Sequence, residues 1–278
     1  MDTQTSPPPN EPRQPAFPLP RLVVLLAAAT LLAFLIATPD GLLTKADMVG
    51  YAVCHRIGSH SLSIAGRQTP LCARCSGTFI GALIAFFGQA VVLRRRRAAE
   101  FPPTPIIVIL VGFTVVWAAD GLNSYMALIN GPHLYEPQNW LRLTTGALNG
   151  LTMSAIVYPV LNFTLWQRPV SERAVRNTRD LGVLLLLEAG MVGLLLTQWS
   201  LLLYPLALLS ALGVLALLTT VNSMLVLIIA RRENVAETWR GAIIPLLAGL
   251  TVSLIQVGAI DLLRYTLTGT LSGIPPLQ

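Results

Sequence analysis

Five side chains able to ligate a metal ion fall within 22 residues of this chain: Cys54, His55, His60, Cys72 and Cys75. They stand in CHRIGSHSLSIAGRQTPLCARCSG, residues 54–77, and the protein has no other cysteine. Cys72 and Cys75 form a C-x-x-C, a spacing that lets two thiolates grip one ion from a tight turn. Cys54 and one histidine can complete a tetrahedral Cys3His set, which zinc prefers. Thiolate and imidazole also suit copper or iron. Ser61, Ser63, Arg67 and Gln68 are candidates to hydrogen-bond the ligands. Arg56, Arg67 and Arg74 would favour thiolate over thiol. Two other chemistries fit the same residues. One is thiol–disulfide exchange at Cys72 and Cys75. The other is structural: a disulfide, Cys72–Cys75 or Cys54–Cys72, or simply buried thiols. Membrane thiol oxidases relay electrons between two cysteine pairs, and three cysteines leave one unpaired. There is no C-x-x-C-H, so covalent haem attachment is not indicated.

These residues must be held by a membrane domain. The chain has 278 residues, 54% hydrophobic and only 12% charged, against roughly 25% charged in soluble domains. Mean hydropathy is +0.65. That much apolar surface has to face lipid. The net charge of +6 does not point to nucleic acid. The basic residues sit in short clusters beside apolar runs, where they set topology, rather than along a phosphate-binding stripe.

The pattern along the chain predicts an all-α membrane protein with about seven transmembrane helices in one bundle. Residues 1–21 are Pro-rich and read as a disordered tail, without the cleavage pattern of a signal peptide. The membrane domain covers 22–268, with spans near 22–38, 76–93, 106–129, 143–166, 181–199, 204–230 and 241–260. The Cys/His loop 54–75 joins the first two, and 269–278 is a C-terminal tail. The apolar run 181–230 is 50 residues long. As one helix it would reach about 75 Å, more than twice a bilayer core. It must therefore turn, and Gln198-Trp199-Ser200 and Tyr204-Pro205 mark the place.

Basic residues orient the bundle. With the N-terminus cytoplasmic and the C-terminus outside, thirteen of the 19 basic residues lie inside, in Arg13 and Arg21, Arg94–Arg97, Arg168–Arg179 and Arg231–Arg240. Lys45, Arg56, Arg67 and Arg74, in and just before the Cys/His loop, run against this locally. The loop is then on the outer face of the plasma (cell inner) membrane.

Two sequence elements resemble an uncharacterised family of prokaryotic predicted integral membrane proteins, a domain of unknown function. The first is Cys54-His55, His60-Ser61, Gly66-Arg67-Gln68, Pro70 and Cys72-Ala73-Arg74-Cys75-Ser76-Gly77. The second is Asp120-Gly121-Leu122-Asn123, followed by Asn139, Arg142, Thr145 and Gly146. The resemblance covers roughly residues 50–150 and implies a membrane fold but no activity. Asn123 stands where the family pattern more often has Gln. The resemblance also implies that Asp120, Asn139 and Arg142 approach the Cys/His loop, as ligand-supporting or substrate-contacting groups. The alternative is an Asp120–Arg142 ion pair that merely fixes two helices. His133 and Glu136 read as solvated loop residues.

Other polar residues fall within spans. Glu188 is ~10 Å into the fifth span, as a proton or cation site or as a neutral buried acid. Gln256 lies in the last span. Asp261 and Arg264 are three apart on one helix face and are expected to pair locally. No Walker loop, G-x-S-x-G, H-E-x-x-H or Rossmann fingerprint occurs, so no nucleotide cofactor is expected. The leading expectation is a zinc-like transition-metal site formed by Cys54, Cys72, Cys75 and His55 or His60. A thiol–disulfide oxidoreductase is second. A small-solute or ion transporter, with Glu188 and Asp120 on its pathway, is third.

Overall fold

The computed structural model describes residues 19–271. Both expected tails, 1–21 and 269–278, fall largely outside the described residues. The chain is an all-α membrane protein with two very small sheets. Helix α1 is Pro20–Ala37, and a short second helix, α2, is Leu42–Val53. Strands β1 (Ser61–Ile64) and β2 (Arg67–Cys72) form an antiparallel hairpin. Helix α3 is Ala73–Phe87, extended by a π-turn over Gly88–Val92. After β3 (Ala98–Glu100) come α4, Thr104–Leu128, and α5, Asn139–Leu165. Then follow β4 (Val170–Arg173), α6 (Thr178–Leu196), α7 (Leu203–Ile229) and α8 (Trp239–Thr268).

Among the described residues, six helical segments are long and apolar enough to cross a membrane, those built on α1, α3, α4, α5, α7 and α8. Helix α6 has 19 residues and carries Arg179, Asp180 and Glu188. The long apolar run does turn where its length required, between α6 and α7 at Thr197–Leu202, with Gln198 in the left-handed region at φ 49°. Tyr204 and Pro205 lie in the first turn of α7, where a proline costs no helical hydrogen bond.

The segment expected to be a polar loop before Cys54 is instead the buried helix α2. Between Cys54 and Cys72 the chain makes one 3-10 turn and the hairpin. Ala65 and Gly66 form its two-residue loop, both with positive φ (52° and 76°), the geometry that matches strand twist.

Helices α3 and α5 share the most extensive interface in the bundle. It is made by glycine. A Cβ on Gly77 would lie 2.2 Å from the Leu143 carbonyl oxygen, and one on Gly146 2.2 Å from that of Arg74. Backbones this close can be reached only without side chains between them. The consequence for function is positional: α3 and α5 start side by side, one carrying Cys72 and Cys75, the other Asn139 and Arg142.

The opposite end gathers the basic clusters. Val170 N–H donates to the Arg97 carbonyl, Arg97 donates to the Glu237 carbonyl, and Arg95 pairs with Glu172. The segments after α3, α5 and α7 therefore share one face.

Candidate metal centre

Each cysteine is set by a helix terminus. Cys54 is the C-cap of α2, and Cys72 is the N-cap of α3. Cys75 lies in the first turn of α3, where backbone N–H groups lack helical partners. The sulfurs take up those donors. Cys54 Sγ accepts from the N–H of Arg56 (3.5 Å) and of Cys72 (3.2 Å). Cys72 Sγ accepts from the N–H of Cys75 at 3.5 Å. Such bonds, with the positive end of a helix, favour negative charge on sulfur. Cys54 and Cys72 are buried, Cys75 is half-buried, and all three are free thiols.

The ligand atoms of Cys54, His55 and Cys72 all lie within 4.8 Å of one another. The edge of a tetrahedron with zinc–sulfur bonds of ~2.3 Å is roughly 3.8 Å, so the three approach a coordination geometry. Three groups thus meet at one point of the fold, Cys54, His55 and Cys72. Cys75 lies one turn on from Cys72 and touches it through its backbone, the N–H 3.5 Å from Cys72 Sγ. Hydrogen bonds from Cys72 and Cys75 hold the Cys54 thiol well below the usual range. Donating to Cys54 pushes the Cys72 thiol up to about 12.

The two histidines have different places. His55 Nδ1 lies 3.6 Å from Cys54 Sγ, and its Nε2 lies 3.4 Å from His60 Nδ1. An Nδ1 lone pair offered to a metal requires the proton on Nε2, and His60 accepts it. Burial and the neighbouring Arg142 push His60 down to about 4, so it is neutral and available as that acceptor. The sequence left His55 and His60 equivalent. The geometry puts His55 against the sulfurs and His60 behind it.

The arginines expected beside the thiols are engaged by carboxylates. Arg56 and Arg67 both pair with Asp47 of α2, at 3.0 and 2.7 Å. Arg74 pairs with Asp120 of α4 and donates to Ser124 Oγ. The Asp120–Arg142 ion pair, the alternative reading of these two residues, is absent among the described residues. Asp120, 2% exposed, takes Arg74 instead, together with Tyr135 Oη (2.7 Å) and Thr145 Oγ1 (3.2 Å). Tyr135 is driven up to about 12 by burial and by that bond.

Arg142 is 4% exposed and donates to Asn139 Oδ1 (2.8 Å) and Ser124 Oγ (3.3 Å). It has no carboxylate within ion-pair distance among the described residues. A buried cation without an anion is costly, and its field reaches Cys72 and His60.

Other side chains fix the frame. Gln68 Nε2 donates to the Arg56 carbonyl and to Ser61 Oγ, both at 2.9 Å. Asn139 Nδ2 donates to the carbonyls of Ser59 and Ser61, tying α5 to the hairpin. Asn123 holds the 130–138 loop through Tyr135 and Leu134. His133 and Glu136 pair with each other on the exposed loop, and the Gly131 carbonyl and Glu136 raise His133.

Four contributors were not foreseen: Asp47, Ser124, Tyr135 and the true partner of Arg264. Arg264 does not pair with Asp261 among the described residues. It stacks on Tyr51 at 4.1 Å and donates to the carbonyls of Tyr51 and Cys54. A cation thus caps the C-terminus of α2 just where Cys54 leaves it. Gln256 accepts from Asn222 at 2.7 Å, joining α7 and α8.

Residues 54–156 match the model of a family described as "Predicted membrane protein (DUF2085)". The match starts at Cys54 and takes in the hairpin, α3, α4 and most of α5. No curated protein and no solved structure matches the chain.

Proposed function

We propose that the segment matching the DUF2085 family model, residues 54–156, builds a zinc-like transition-metal site. The ligands are Cys54, Cys72, Cys75 and His55 Nδ1. His60 orients His55. Gln68 and Asn139 hold the hairpin, and Arg74 and Asp120 anchor the start of α3 against α4. The carrying observation is the approach of the Cys54, His55 and Cys72 ligand atoms to within 4.8 Å, with Cys75 in the helical turn that follows Cys72.

Charge supports the reading. Three thiolates on a divalent ion with a neutral imidazole carry one net negative charge. Arg142 is the buried cation beside it with no carboxylate of its own. The pair would neutralise each other.

The topology follows the basic clusters. Seven spans are proposed, counting α6, with the N-terminus in the cytoplasm and the site on the outer face of the cell inner membrane. A site there is exposed to oxidants. The C-x-x-C at the start of α3, with the Cys75 N–H 3.5 Å from Cys72 Sγ, therefore also favours a second reading, a thiol–disulfide oxidoreductase at Cys72 and Cys75.

One experiment separates them. The protein is purified in detergent without chelator, its metal measured by mass spectrometry, and its free thiols titrated. One equivalent of zinc or another transition metal, lost in Cys72→Ser, is the expected result. Metal-free protein with a reversible Cys72–Cys75 disulfide would replace the first reading with the second.

A further inference from the structure

The arginine-rich end carries a lipid-facing groove unrelated to the cysteines. A cavity of about 560 Å³ runs along α3 from Leu83 to Val91, walled by Tyr158 and Leu161 of α5 and by Leu209 and Thr220 of α7. A second cavity, about 410 Å³, shares Ala90, Val91, Tyr158 and Leu161 with the first and continues to Arg96, Trp166 and Trp239. The two form one path from the apolar middle of the bundle to its basic end. It opens outward, because Phe87 and Val91 are 55% and 47% exposed.

The polar end is built. Tyr158 Oη donates to the Arg95 carbonyl at 3.1 Å, which fixes the wall. Trp166 and Trp239 meet edge to face at 4.8 Å, and Arg97 stacks over Trp166 at 4.4 Å. Tryptophan pairs of this kind belong at the depth of lipid headgroups. Of the four arginines, Arg95 is neutralised by Glu172 and Asp180. Exposed Arg96, which lines the groove, has no carboxylate partner among the described residues.

We infer that this groove binds an anionic phospholipid, with an acyl chain along α3 and the phosphate at Arg96, level with Trp166 and Trp239. Length and apolarity suit a chain rather than a polar solute. The unpaired cation at the aromatic end selects the headgroup, since each arginine near a membrane surface attracts anionic lipid. The inference needs neither the metal nor the orientation of the bundle.

The test is native mass spectrometry of the detergent-purified protein with equimolar dioleoylphosphatidylglycerol and dioleoylphosphatidylcholine. Wild type should retain the anionic lipid with roughly fivefold preference. Arg96→Gln should bring the two lipids to parity. Leu161→Trp, which fills the groove, should reduce retention of both. Arg231→Gln, at an exposed arginine that does not line the groove, should change nothing. Equal retention of both lipids by wild type would overturn the inference, as would an undiminished preference in Arg96→Gln, a surface change that leaves the fold intact.

Discussion

The backbone N–H of Cys72 points at the sulfur of Cys54 across 3.2 Å, joining residues 18 apart in sequence. This bond brings the end of α2 and the start of α3 to one place, and every ligand assignment follows from it. A direct ligand and a residue behind a ligand should then differ in kind. Cys54→Ala and His55→Ala should abolish stoichiometric metal binding. His60→Ala should keep one equivalent but weaken it by about 10–100-fold. Competition with a graded series of chelators reads both. Loss of all metal in His60→Ala, with retention in His55→Ala, would reverse the two roles.

Asp120 is the only carboxylate paired with Arg74 among the described residues, and Arg142 lies beside it. Asp120→Asn leaves the largely buried Arg74 guanidinium without its anion. The expected cost is ~3–5 kcal/mol, as for breaking a buried ion pair from one side. The double variant Asp120→Asn/Arg74→Met should recover a large part of it. Thermal unfolding in detergent, run as a double-mutant cycle, checks the claim. Purely additive losses would show that the pair does not act as a unit.

What the sequence revealed, and what it hid, divides by distance along the chain. The approach of Cys54, His55 and Cys72 was legible because these residue types are rare here and cluster within one segment. The turn after α6 was legible because a run of that length cannot stay in a bilayer. Helix α2 was hidden. Its apolar face is interrupted by Lys45 and Asp47, and it is buried by contact with α7, α8 and the hairpin rather than by lipid. Partner choice was hidden too. An Asp120–Arg142 pair was one of two readings of the motif, but the close glycine packing of α3 on α5 carries Arg74 into that position. The contact of Arg264 with Cys54 spans 210 residues and leaves no local sign.

The glycine contact makes its own prediction. Gly146→Ala would set a methyl group 2.2 Å from the Arg74 carbonyl oxygen, and only a backbone shift can relieve that. Destabilisation of about 1–3 kcal/mol is expected, as for overpacked interiors. Because α3 carries Cys72 and Cys75, weaker metal retention should accompany the lower Tm. Gly182→Ala, where the added carbon meets nothing within 4 Å, is the control and should leave both unchanged. Equal melting temperatures for the two variants would show that helices α3 and α5 are not held at this distance.

Glu188 is 3% exposed on α6, and neither of its carboxyl oxygens has a hydrogen-bond partner among the described residues. One oxygen lies 2.9 Å from where a Cβ on Gly81 would stand, so the acid is packed directly on the backbone of α3. An ionised carboxylate in such a place is costly, and a group of the same shape without charge loses nothing by comparison. Glu188→Gln should therefore fold with a Tm equal to or above that of wild type and keep its metal. Glu188→Lys should fold poorly, since it forces a charge into the same apolar packing. If Glu188→Gln preserves the fold and metal but eliminates an ion flux measured in liposomes, the carboxyl belongs to a transport path. If it lowers Tm by several degrees, the acid has a structural partner that the packing does not account for.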